Sequence, residues 1–108
     1  MLNQTLRATI LVLSLPIACR AAQAESSGAA TYTAKCQMCH GADGMGATPA
    51  GKAMRPIPFS DPQILNKSDA DLIAATKNGK NKMPGYAGKL SDGDIKAVIS
   101  YIHTLQKK

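Results

Sequence analysis

"KCQMCHGADG", residues 35–44, sets the thiols of Cys36 and Cys39 two residues apart and places the imidazole of His40 directly behind the second. Upstream, "SSGAATYTAK" (26–35) reads as a short helix, with serines available as N-caps and Gly28 and Tyr32 four positions apart on one face. It feeds straight into Cys36. Downstream, residues 41–62 ("GADGMGATPAGKAMRPIPFSDP") are dense in Gly and Pro and show neither a helical nor a strand period, so they read as loop.

The second half of the chain is helical by pattern. Ser68 and Asp71 resemble a capping box at the head of "SDADLIAATKNG", where Leu72, Ile73 and Thr76 share a face before Gly79 stops the helix. After a second loop, "GKNKMPGYAGKL", Ser91 and Asp94 repeat the capping pattern. Ile95, Val98, Ile99, Ile102 and Leu105 then recur at helical spacing to the C-terminus. Nothing alternates with a period of two and nothing repeats. The expected fold class is all-α, three to four helices joined by long loops.

The N-terminal end reads as an address. Arg7 precedes twelve uncharged residues, Ala8 to Cys19, which suits a secretory core and falls short of the about 20 residues of a membrane span. Ala22-Gln23-Ala24 has the small-x-small form of a cleavage site, so residues 1–24 are expected to be a signal peptide and 25–108 the mature domain. The rival reading, a lipidated Cys19, is opposed by Pro16, which stands where a lipoprotein signal carries a leucine-like residue. Cleavage after Ala24 implies a periplasmic protein without stable membrane insertion.

Of the 13 basic and seven acidic residues, the signal removes only Arg7 and Arg20, lowering the formal charge from +6 to +4. The remaining basic residues are scattered lysines with few aromatics between them, which argues against nucleic acid as a partner. With no Trp and a single Phe, Phe59, a chain this short builds only a small core, and such chains commonly need a metal, a cofactor or a disulfide to complete it.

A Cys-x-x-Cys pair has three common uses. A thiol redox pair sits in a βαβ setting, which this sequence lacks. A structural zinc site needs a second ligand pair, and outside the pentapeptide the expected mature chain offers only His103. Cys-x-x-Cys-His is the attachment signal for c-type haem: the thiols add to the vinyl groups and the adjoining imidazole reaches the iron from the same side. Export fits that chemistry. One covalent haem c, held by Cys36 and Cys39 and ligated by His40, is therefore the expected cofactor.

Gly28-x-x-x-Tyr32, "CQMCHGADGMG", "KMPGY" and "SDGDIKAVISYIHTL" together resemble the bacterial class I c-type cytochromes, across essentially all of residues 25–108. The resemblance implies a small cytochrome c-like fold in which the first and last helices cross at Gly28, Tyr32 and Tyr101. It also implies a proline carbonyl accepting the proton of His40 Nδ1, for which Pro49 has the best spacing, with Pro56 and Pro58 behind it.

The distal iron ligand decides between carrier and reactive site. Met38 is tied beside His40 and Met45 is only five residues past it, whereas Met54 and Met83 both have the chain length to cross. Met83, in a Met-Pro-Gly turn between a helix stop and a helix start, has little reason to be there as core filler, and the resemblance implies the same residue. His103 reads instead as a solvated or dipole-stabilised helix-end histidine.

His/Met ligation fills both axial positions, and the expected function is one-electron transfer between exported or membrane-bound redox protein partners rather than enzymatic chemistry. Lys80, Lys82, Lys89 and Lys52 are candidates to steer acidic partners, or simply to keep the protein in solution; Arg55 is either a propionate partner or a solvated charge. The alternatives are a haem-based sensor or weak peroxidase with an open distal position, and a haem subunit of a larger oxidoreductase.

Overall fold

The structure, a computed structural model, describes residues 19–107. Among these are six helices: α1 (Cys19–Lys35), α2 (Gln37–His40), α3 (Pro49–Met54), α4 (Pro62–Leu65), α5 (Asp69–Asn78) and α6 (Asp92–Gln106). The only β-pairings among the described residues are two isolated bridges, Lys80 with Met83 and Ala87 with Leu90. The all-α expectation holds. Residues 1–18, most of the expected signal peptide, lie outside the described residues.

The helices depart from the sequence reading in two places. α1 already runs from Cys19, the first described residue, so Ser26 and Ser27 lie inside the helix and not at its N-terminus. The preceding "CRAAQAE" is rich in good helix formers and extends the turn. The loop expected over 41–62 is also interrupted by α3 and α4. Each begins with a capping residue followed by proline at the first helical position. Thr48 Oγ1 accepts from Gly51 N at 2.9 Å, and Asp61 Oδ1 accepts from Gln63 N at 2.8 Å.

α5 and α6 begin as their patterns require. Ser68 Oγ accepts from Asp71 N at 3.1 Å, and Ser91 forms a full capping box with Asp94. The periodic residues of α6 become the core: Ile95, Val98, Ile99, Ile102 and Leu105 are all buried, joined by Tyr32 and Phe59. Ile95 and Val98 are closed off almost completely, each contributing about 1.5–3 kcal/mol by burial.

α1 crosses α6 at Gly28, where a Cβ would run into the carbonyl of Ala97 and the Cβ of Tyr101. One turn on, Tyr32 packs against Tyr101 with ring centroids 5.2 Å apart. Its hydroxyl donates to Gly41 O at 2.6 Å. The crossing is thus built from the three residues expected of it.

His103 lies in the last turn of α6, half-exposed as a helix-end histidine, but it is also engaged on both ring nitrogens. Its Nδ1 is 2.7 Å from Gln106 Oε1 and its Nε2 is 2.7 Å from Asp69 Oδ1, tying the end of α6 to the start of α5. The hydrogen bond to Gln106, and then that to Asp69, raises its pKa above the ordinary histidine value. A raised folded pKa means stability that is fully present below about pH 6.5 and lost as pH rises through the folded value.

Two outcomes follow from this architecture. Gly28→Ala lowers stability by about 1–3 kcal/mol through overpacking, despite the ~1 kcal/mol that alanine gains in an unconstrained helix; thermal unfolding then shows a Tm drop of roughly 4–8 °C per kcal/mol. Asp69→Asn costs up to about 1 kcal/mol in acid, as for a half-exposed ion pair. Its effect fades as His103 loses its proton. Denaturant midpoints at about pH 5.5 and pH 8.5, either side of histidine titration, compare the two regimes; a loss that grows with pH contradicts the assignment.

Candidate functional site

Cys36 directly follows the last residue of α1 and is the N-cap of α2, so the motif is carried on rigid backbone. His40 N donates to Cys36 O at 3.0 Å, Cys39 N to the same oxygen at 3.3 Å, and Gly41 N to Gln37 O at 2.8 Å. Tyr32, reaching Gly41 O, holds the far end of this turn. Cys36 and Cys39 are both free thiols. Burial pushes the Cys36 thiol up to about 11 and pulls His40 below the ordinary histidine range, which keeps its ring neutral and able to give a lone pair to a metal.

These residues open onto a cavity of about 1160 Å³. Ordinary small-molecule pockets span roughly 300–1000 Å³. Val98, Ile99 and Ile102 of α6 form part of its wall, as do Leu72 and Thr76 of α5 and Phe59 of the middle segment. Cys36, Cys39, His40 and Met83 all line it, so the four residues expected from sequence meet in one place. Met54 and Met38 line it as well, Met54 half-exposed and Met38 largely so. Met45 and His103 do not line it, and His103 is committed to Asp69 and Gln106.

What distinguishes Met83 from Met54 is how its loop is seated. Lys80 and Met83 exchange backbone hydrogen bonds at 3.1 and 3.0 Å, with Asn81 at φ 54° making the turn between them. Tyr86 N then donates to Thr76 O at 2.9 Å, and Ala87 N to Lys77 O at 3.0 Å. The loop is thereby laid along the last carbonyls of α5. Only glycines allow this approach: a Cβ on Gly79 would come within 2.7 Å of Met83 O, and one on Gly85 equally close to Lys77 O. Across the site, the Tyr86 hydroxyl donates to Lys35 O at 3.0 Å, linking the Met83 loop to the residue before Cys36.

His40 Nδ1 is buried and has no hydrogen-bond partner among the described residues, and its ring stacks on Phe59 at 4.7 Å. The expected Pro49 carbonyl does not accept its proton. Pro49 is the first residue of α3, where a carbonyl points along the helix toward the residue four positions on. Lys80 and Lys82 lie at the cavity as expected, but Lys89 sits over the Tyr86 ring and neither it nor Lys52 lines the wall. Lys35, Lys67 and Arg55 do line it, against a single acid, Asp71. Sequence order alone gave no sign of Lys35 and Lys67.

A half-buried neutral imidazole, one thiol next to it in the chain, a second a helical turn away, and a large, mostly apolar cavity fit a covalently attached haem. The comparisons agree. Residues 23–102 match the family described as cytochrome C oxidase, cbb3-type, subunit III. Cytochrome c6 of Limnospira maxima is 35% identical over 82 residues, covering 71% of this chain and 88% of that one. The chain belongs to the class I c-type cytochromes. It is a small haem protein of the electron-carrier kind. The solved structure of the KustC0563 c-type cytochrome superposes with a TM-score of 0.62 at 26% identity, covering 74% of this cytochrome and 94% of that chain. A dihydro-heme d1 dehydrogenase of Pseudomonas aeruginosa is 30% identical over 93 residues, which is 18% of its own length.

The seating of the Met83 loop is testable without reference to the cofactor. Gly85→Ala forces the loop off α5 at a cost of about 1–3 kcal/mol, so amide exchange at Tyr86 and Ala87 accelerates about tenfold per 1.4 kcal/mol. Exchange unchanged at both amides contradicts the glycine argument.

Proposed function

We propose that this cytochrome is a periplasmic one-electron carrier with a single haem c, attached through Cys36 and Cys39, with His40 and Met83 as the axial ligands. The observation that carries the reading is the meeting of these four side chains around one cavity, with Met83 on the loop that glycines and Tyr86 pin in place. When bound, the haem supplies a single redox-active iron whose potential a thioether ligand raises.

The protein's own part is to position and to exclude. Burial keeps His40 neutral, the short turn of α2 fixes it beside both thiols, and the Met83 loop closes the other side. With His40 and Met83 both holding the iron, no open position would remain for a substrate, so the chain would act as a carrier and not as an enzyme. Lys35, Arg55, Lys67, Lys80 and Lys82 ring the cavity and suit an acidic face on a redox partner. Export rests on the pattern of residues 1–24, and the family match beginning at residue 23 supports a domain boundary there. No helix among the described residues is long and apolar enough to cross a membrane.

A second reading, the same haem domain working within a larger oxidoreductase, is favoured by the partial match to the dehydrogenase. Co-purification from the exported fraction separates the two: a free carrier elutes as a monomer-sized haem protein, a subunit with its complex.

Haem remains on the polypeptide in a denaturing gel, and Cys36→Ala or Cys39→Ala weakens its retention. Met83→Ala abolishes the sulfur-to-iron charge-transfer band of the oxidised protein, lowers the potential and lets carbon monoxide bind the reduced iron, whereas Met54→Ala does none of these. A Met83→Ala spectrum identical to wild type removes Met83 from the assignment.

A further inference from the structure

One residue touches the proposed ligand without being a ligand. The ring of Phe59 lies 4.7 Å from that of His40, centroid to centroid, with the planes 22° apart. Phe59 is itself held on several sides. Tyr32 packs on it edge-on at 6.2 Å, and Gly44 makes room for the ring where a Cβ would collide with it. Its amide donates to Gly44 O at 3.1 Å and its carbonyl accepts from Gln106 Nε2 at 3.1 Å. The other end of the Gln106 amide, Oε1, is 2.7 Å from His103 Nδ1, and His103 Nε2 is 2.7 Å from Asp69 Oδ1. A line of polar contacts thus runs from a half-exposed imidazole to the residue stacked on His40.

Counting protons shows what this line does. Asp69 and Gln106 Oε1 are both acceptors, so His103 satisfies both only when both ring nitrogens carry hydrogen. A neutral ring has one N–H. If that proton faces Gln106, a lone pair faces the carboxylate of Asp69. If it faces Asp69, the lone pair on Nδ1 confronts Gln106 Oε1, and the amide must turn over to donate. Its oxygen then faces the carbonyl of Phe59, and that hydrogen bond is lost. The charged groups acting on His103 are Asp69 from α5 and Lys107 from its own end of α6.

We propose that Phe59 is a positioning residue for His40, clamped by Gln106, and that the protonation of His103 sets the clamp. The proposal rests on His40 being an iron ligand. Outer-shell groups that fix a ligand's orientation tune the metal they serve, so the potential becomes linked to a proton well away from the iron. Loss of that proton also removes a positive charge that favours the reduced iron, so the potential falls as pH rises.

The test is the reduction potential of the haem-loaded protein across about pH 5–9, the range of histidine titration, with the titration of His103 followed by NMR. A downward step is expected, with its midpoint at that of His103, and it is absent in His103→Asn. Charge acting through space would give a step as well, and Gln106→Ala separates the two causes. It leaves the titrating imidazole in place and cuts the clamp, so the step shrinks by roughly half or more if the contacts couple as a network. In the wild type, the paramagnetically shifted ring resonances of His40 follow the same midpoint, a readout independent of whether any variant folds. A step of full size in Gln106→Ala, or a flat potential through the His103 titration, overturns the proposal and leaves the carrier reading standing. Absence of any reversible one-electron couple takes both down together.

Discussion

The approach of α1 to α6 at Gly28 is the constraint on which the site depends. Because the glycine lets the two backbones come together at Ala97, Tyr32 falls one turn later into full burial against Tyr101. From there its hydroxyl reaches Gly41, so the residue that fills the core also fixes the end of the turn bearing Cys36, Cys39 and His40. A larger residue at position 28 would move the thiols and the imidazole as well as the helices. Packing and site geometry are one interaction here.

The opposite wall is built by a different device. α5 ends at Gly79, and the chain doubles back so closely that Gly85 lies on the carbonyls of Lys77 and Asn78. Backbone hydrogen bonds from Tyr86 and Ala87 hold this return, and they need no particular side chains. That leaves Met83 free to serve the cavity and not its own loop. The Tyr86 hydroxyl then joins this wall to the first through Lys35 O, across 51 positions of sequence. The two sides of the site are therefore fixed relative to each other by a contact outside the cavity floor.

Much of this was legible in the chain itself. Periodicity in α6, the Ser-x-x-Asp starts of α5 and α6 and the Gly28/Tyr32 pair are all local patterns, and each is found as read. α3 and α4 were hidden by the glycines and prolines around them, although Thr48-Pro49 and Asp61-Pro62 carry the cap-then-proline signature of a helix start. Other features had no local trace. That His103 meets Asp69, that Gln106 reaches Phe59, and that Lys35 and Lys67 share a rim with Lys80 all depend on how distant segments dock. Pro49 shows the converse error: its spacing from His40 fitted, but its place in α3 commits its carbonyl elsewhere.

The walls of the cavity and the core of the protein share residues. Val98, Ile99 and Ile102 present themselves both to Tyr32 and Phe59 and to the cavity, and Leu72 does the same from α5. A group bound there completes the core, so under the proposed assignment its binding free energy is also folding free energy, as in other small proteins organised around a metal. This gives covalent attachment a structural purpose. A haem held only by its axial bonds would leave whenever the core opened, and the core of so small a chain opens readily. In the proposed assignment, thioethers to Cys36 and Cys39 would keep the group at high local concentration through such openings. With Met83 as the proposed second ligand, retention would not depend on that softer bond, so the chain could use a thioether for its effect on potential where a stronger ligand would otherwise be needed to hold the group.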